Sequence, residues 1–228
     1  MKRCVIACSK VWLPSIAADV TTRTGWECSL ITRPEDIAVE ALLLIDPEIV
    51  CFPHWSWRIP AEVHRRWECI VFHMTDVPYG RGGSPLQNLI VRGHRDTRIS
   101  ALRCVEEMDA GPVYLKRALS LQGSAQDIYV QASTIIREMI VEILTHRPTP
   151  VAQAGEPVTF SRRTPEQGDI KALRTVEEVY NYIRMLDADG YPRAFLETPH
   201  LRIEFNRASL RGGHIAAEVT ITAKHHDG

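Results

Sequence analysis

A chain of 228 residues is long enough to bury a substantial core, so the expectation is one large domain, or one domain with a small appendage. Its 27 Lys and Arg residues offset 28 Asp and Glu, a near-neutral balance that argues against a general nucleic-acid or membrane-surface binder. No apolar run approaches membrane-spanning length, and the amino-terminal apolar stretch is too short for a signal peptide. The six cysteines show no Cys-x-x-Cys spacing. Cys4, Cys8, Cys51 and Cys69 lie in or beside apolar runs and read as buried free thiols, which suits a soluble cytoplasmic protein.

In chain order, Cys4–Ala7 reads as a strand and Leu13–Thr22 as a helix that tolerates Pro14 in its first turn. Glu27–Ile31 is a second strand, and Pro34–Leu44 a helix with Ile37, Val39, Leu42 and Leu43 on or near one face. Glu48–Phe52 is a third strand, Ile59–Arg66 a short helix and Cys69–Phe72 a fourth strand. A turn-rich loop leads to a helical Ser84–Arg92. Thr97–Val105 alternates without a clear facing, and Val113–Leu121 is another strand. Ser124–His146 is the clearest helix, with Asp127 three residues after the capping Ser124. Alternating strands and helices indicate βαβ units and a largely parallel sheet.

Arg147–Pro150 breaks the long helix and opens a linker to about Glu156. Beyond it come a strand-like Val158–Phe160, a turn at Pro165–Gly168, a helix near Thr175–Leu186 and strands at Leu201–Phe205 and Ile215–Ala223. The tail Lys224–Gly228, with its paired histidines, reads as solvated rather than as a metal site. The domain reading is therefore 1–150 and 151–228, an α/β catalytic part followed by a linker and a small helix-plus-hairpin region.

The most informative stretch is Phe72-His73-Met74-Thr75-Asp76-Val77-Pro78-Tyr79-Gly80-Arg81-Gly82-Gly83-Ser84-Pro85. It sets a histidine at the end of an apolar run and follows it with a glycine- and proline-rich turn. The carboxyl ends of strands are where open α/β sheets place their chemistry. About two dozen residues on, Asp109-Ala110-Gly111 offers an acid on a turn, and with His73 it makes an acid/base pair. Taken singly, each residue is as readily a satisfied strand-end histidine or a turn aspartate.

Together these motifs resemble the folate-dependent formyltransferase family, which includes methionyl-tRNA formyltransferase, sugar N-formyltransferases and glycinamide ribonucleotide transformylase. The family loop reads Asn-x-His-x-Ser-Leu-Leu-Pro-x-Tyr-Arg-Gly-x-x-Pro. His73, Pro78, Arg81, Gly82 and Pro85 take the corresponding places, and Thr75 stands where Ser is usual. Asp109-Ala110-Gly111 matches the family's Asp-x-Gly turn. Arg162–Ile170, and Ile183–Leu186 followed by Gly190–Phe195, resemble later segments of the sugar and tRNA enzymes. The ordered matches cover roughly residues 50 to 205. One departure stands out: the family's catalytic Asn falls on Val71, which has no side-chain donor.

The resemblance implies a Rossmann-like, mostly parallel sheet with a small C-terminal α+β appendage. It also implies formyl transfer from N10-formyltetrahydrofolate as cosubstrate, with no metal. His73 and Asp109 would be catalytic, Thr75 and Arg81 would support the oxyanion or the loop, and Trp57, Ile59, Gly82 and Asp109 would meet the folate. Arg81, Arg162 and Arg163 are the substrate candidates, with packed tryptophans and exposed arginines as the commoner readings of those residue types. Only about 70 residues follow the Rossmann-like part and the tail is not strongly basic. Size and charge thus disfavour a tRNA acceptor, and no nucleic acid or membrane partner is expected. The resemblance implies a nucleotide-linked amino sugar as acceptor, such as a UDP-4-amino-4,6-dideoxy sugar. Another small amine acceptor, a formyl-folate hydrolase and a non-catalytic folate-binding relic remain as alternatives. The late strands leave open edges that suit a homodimer.

Overall fold

The structure is a computed structural model that describes residues 1–10 and 15–224. In chain order the elements are β1 (Arg3–Ala7), α1 (Ile16–Thr24), β2 (Glu27–Ile31), α2 (Val39–Ile45), β3 (Ile49–Phe52), α3 (Ala61–Arg66), β4 (Glu68–His73), β5 (Tyr79–Gly82), α4 (Pro85–Val91), β6 (Asp96–Arg103) and β7 (Val113–Ser120). They continue as α5 (Ala125–His146), β8 (Val158–Phe160), α6 (Val176–Leu186), β9 (Ala194–Glu197), β10 (Leu201–Arg211) and β11 (His214–Ala223). The chain forms two compact units, one of residues 1–82, 97–119 and 129–159, the other of 83–96, 120–128 and the chain from 160 onward.

The first unit is built on a six-stranded sheet in the order β2-β1-β3-β4-β6-β7. β1 pairs in parallel with β2 and β3, and β3 in parallel with β4, whereas β6 runs antiparallel to β4. This is the mostly parallel α/β sheet expected from the alternation of elements. The order reverses around β1, so the crevice lies at the carboxyl ends of β1, β3 and β4. Strands buried on both faces read as continuous apolar runs. That explains the ambiguous facing of Thr97–Val105: Ile99, Ser100, Ala101 and Leu102 of β6 are all buried. The free cysteines Cys4, Cys8, Cys51 and Cys69 are buried, as expected.

Several boundaries differ from the sequence pattern. The apolar spacing at 34–44 resolves into a 3-10 turn at Pro34–Asp36 and a shorter α2. Ile59 and Pro60 precede α3, and Pro60 has a non-helical ψ of 140°. The expected first helix begins in residues 11–14, and the expected solvated tail continues past 224; both stretches lie outside the described residues. The α5 cap is as read: the Ser124 Oγ accepts from the Asp127 N–H at 3.2 Å, and the Ser124 N–H donates to the Asp127 carboxylate at 3.0 Å.

The second unit packs α6 with α4 and with a three-stranded antiparallel sheet ordered β11-β10-β9. α6 starts with a capping box between Thr175 and Glu178. β9 escaped the sequence reading because four residues flanked by turns carry little periodic signal.

His54, just past β3, has its Nε2 2.8 Å from the Ser133 Oγ and its ring edge-on to Tyr129. Only a minor part of it is accessible, and burial pushes its pKa down to about 4 from 6.5. The unfolded chain therefore binds this proton first. The stability that a neutral His54 contributes is complete above pH 6.5 and drains away as the pH falls toward about 4, by at most about 3 kcal/mol. Urea unfolding across that window should show the loss in the wild type and a flatter profile in His54→Asn, a residue that tolerates the φ of 49° found here.

Candidate active site

The site is assembled at the carboxyl end of β4, where His73 is 8% exposed. Its Nε2 lies 2.7 Å from the carbonyl oxygen of Gly80, and the Thr75 hydroxyl donates to the same oxygen at 3.1 Å. A carbonyl can only accept, so Nε2 carries the ring proton and Nδ1 is the nitrogen left for proton exchange. Nδ1 faces the Asp109 carboxylate, 3.5 Å from Oδ2. Fully buried Thr75 is anchored from the sheet by Ser100 of β6, whose hydroxyl donates to the Thr75 carbonyl at 2.7 Å.

Asp109 reaches His73 because its own turn is tight. It has φ 54°, and an added Cβ at Gly111 would stand 1.8 Å from the Arg103 carbonyl oxygen, so only glycine fits there. The Gly82 N–H donates to Asp109 Oδ2 at 2.9 Å. The oxygen facing His73 is therefore also held by the β5 backbone, and the structure brings the two sequence motifs together.

Gln153, in the linker after α5, was not singled out from the sequence, where nothing distinguishes it from other linker residues. Its amide nitrogen donates to the carbonyls of Asp109 and Gly111 at 2.7 and 2.8 Å. Its amide oxygen accepts from Arg81 Nε and Nη2 at 3.1 and 2.8 Å. Arg81 also meets Glu107 at 3.2 Å, so its guanidinium is engaged in fastening the β5 loop to the Asp109 turn.

Val71, two residues before His73, packs in an apolar cluster with Val50, Phe52, Val63 and Cys69. Ile59 and Trp55 pack against the same cluster. Trp57 is 45% exposed and meets Trp55 edge-on at 5.0 Å. The indole N–H of Trp55 is buried and has no acceptor among the described residues. Leaving such a donor unpaired costs about 1–3 kcal/mol. Thr75, expected to support the oxyanion or the loop, donates its hydroxyl proton to Gly80.

Arg162 and Arg163 belong to the second unit. Arg162 is exposed and carries no ion pair among the described residues, and its backbone lies against Gly83. The Arg163 guanidinium donates to the Gln167 carbonyl at 2.9 Å and sits over the Tyr182 ring. Among the described residues no cluster of His, Cys, Asp and Glu could hold a metal ion, and no helix is long and apolar enough to cross a membrane.

A solved structure described as methionyl-tRNA formyltransferase from Clostridium thermocellum is 45% identical to this chain, with a TM-score of 0.95 over 98% of this chain and 100% of that one. The chain belongs to the formyltransferase family. Residues 165–222 match the family model of the methionyl-tRNA formyltransferase C-terminal domain. The methionyl-tRNA formyltransferase of Bacillus cytotoxicus is 30% identical over 157 residues, which are 65% of this chain and 50% of that protein. The chain thus spans about half the length of the curated relatives it matches. A sugar N-formyltransferase from a Shewanella species shares the fold at 12% identity, with a TM-score of 0.68 over 100% of both chains.

Replacing Gln153 by Glu keeps the size and the acceptor for Arg81 but removes both amide donors, leaving two turn carbonyls facing a carboxylate. Urea unfolding should show a loss of about 2 kcal/mol relative to wild type. An unchanged midpoint would mean that the clamp does not hold the turn.

Proposed function

We propose that this formyltransferase moves the formyl group of N10-formyltetrahydrofolate to the amine of a small, nucleotide-linked amino sugar. The folate supplies an activated one-carbon acyl group. The acceptor nitrogen forms the new bond to the formyl carbon, the bond from that carbon to N10 breaks, and the products are a formamide and tetrahydrofolate. The protein's part is to remove the amine proton and return one to N10. The observation that supports this reading is the His73–Asp109 pair: Nε2 is locked as a donor by Gly80, which directs proton exchange to Nδ1 beside the carboxylate.

The choice of acceptor rests on charge. From Phe160 onward the chain balances ten basic against ten acidic side chains. Many of the cations are neutralised within their own unit: Lys171 by Asp169, Arg193 by Asp187, Arg202 by Glu197 and Glu204, Arg207 by Glu218, and Lys224 by Glu197. Such a surface lacks the excess positive potential that a polynucleotide needs. Arg162, which carries no ion pair among the described residues, suits a diphosphate better than a long phosphate backbone. A tRNA acceptor is the second reading, favoured by the name of the 45% identical structure and by the C-terminal domain match.

Formyl transfer should be followed with N10-formyltetrahydrofolate and, in parallel, UDP- or dTDP-linked 4-amino-4,6-dideoxy sugars, charged initiator tRNA, or no acceptor. Turnover that requires the sugar and is lost in His73→Ala is expected. Turnover that requires tRNA would replace the acceptor reading, and turnover without acceptor would make the protein a formyl-folate hydrolase.

A further inference from the structure

An acyl transfer needs a donor aimed at the oxygen on which charge develops, and among the described residues the side chains of His73, Thr75 and Arg81 are directed elsewhere. His73 Nε2 and the Thr75 hydroxyl both point at the Gly80 carbonyl, and His73 Nδ1 faces Asp109. The Arg81 guanidinium is engaged with Gln153 and Glu107. In the following loop, the backbone N–H groups of Tyr79, Gly82 and Gly83 already donate to Asp76, Asp109 and Phe160.

Among the described residues, the buried side-chain donor without an acceptor is Trp55 Nε1. Trp55 follows β3, whose last residue Phe52 is the register partner of Val71, and it packs against the same apolar cluster as Val71. Trp55 thus follows the crevice end of β3, the strand next to the one that presents His73. The N–H is enclosed in this state. Half-exposed Trp57 meets the Trp55 ring edge-on at 5.0 Å.

We infer that the Trp55 indole N–H is the hydrogen-bond donor to the formyl oxygen, in the place where Val71 offers none. The inference rests on the formyl-transfer reading above. During transfer the donor keeps its proton. It holds the negative charge on oxygen while the amine–carbon bond forms and the carbon–N10 bond breaks.

Trp55→Phe keeps an aromatic side chain and removes the N–H. Loss of one such donor lowers kcat by about 100-fold in acyl-transfer enzymes. The expected result is a loss of that order with the KM for N10-formyltetrahydrofolate within about threefold, and no fall in the melting temperature, because an unpaired buried donor is gone. Wild type and His73→Ala are run beside it. If wild type has no turnover, formyl transfer itself fails. If wild type turns over, His73→Ala does not, and Trp55→Phe matches wild type, the Trp55 assignment alone is overturned and the backbone N–H groups of Gly80 and Arg81 become the donors to test.

A second readout does not depend on turnover or on the variant's folding. In protein labelled with 15N at its five tryptophans, the indole N–H signal absent from Trp55→Phe is that of Trp55. Should that variant not fold, Trp55→Tyr or labelling of the other four positions in turn assigns the signal. A downfield proton shift with 10-formyl-5,8-dideazafolate, and none with unformylated 5,8-dideazafolate, is expected. An equal shift with both would place the bond on the ring system and overturn the assignment, as would no shift with either.

Discussion

One carbonyl organises the site. The Gly80 oxygen accepts from His73 at the end of β4 and from Thr75 two residues later, so the strand end and the returning β5 loop are fastened at one point. That acceptor sets the histidine tautomer and turns Nδ1 toward Asp109. Gly80 has φ 79°, a conformation open to glycine at little cost. The geometry of the proposed catalytic pair thus follows from a backbone group and not from a side chain that substitution could remove.

The second half of the pair depends on a matching constraint. Asp109 comes into range because Gly111 lets the turn press against the Arg103 carbonyl, and because Gln153 holds two carbonyls of that turn while binding Arg81 of the loop. Both halves therefore hang on the same rigid sheet, through Ser100 and Arg103 of β6. Holding reacting groups on rigid elements is what proximity effects require.

The parts of this arrangement that were legible in the sequence are those carried by local pattern. The apolar runs gave the strands, Ser124 and Asp127 gave the start of α5, and the loop from His73 to Pro85 marked the candidate site. What stayed hidden depends on pairing across the chain. Nothing local to Gln153 reveals that its amide bridges Arg81 and Asp109, 72 and 44 positions earlier. Nothing local to Thr75 reveals that its hydroxyl points at Gly80. Trp55 drew no attention of its own, since an indole without a partner can be recognised only in three dimensions. The short β5 and β9 escaped because four residues are too few to establish a period.

The account depends most on the tautomer of His73. Long-range 15N–1H correlation spectra of the imidazole rings, with His73 assigned from His73→Gln, report it directly in the neutral ring. The Gly80 lock requires the proton on Nε2, with Nδ1 unprotonated and facing Asp109. A neutral His73 carrying its proton on Nδ1 would contradict the lock, and with it the direction of proton transfer on which the proposed chemistry stands.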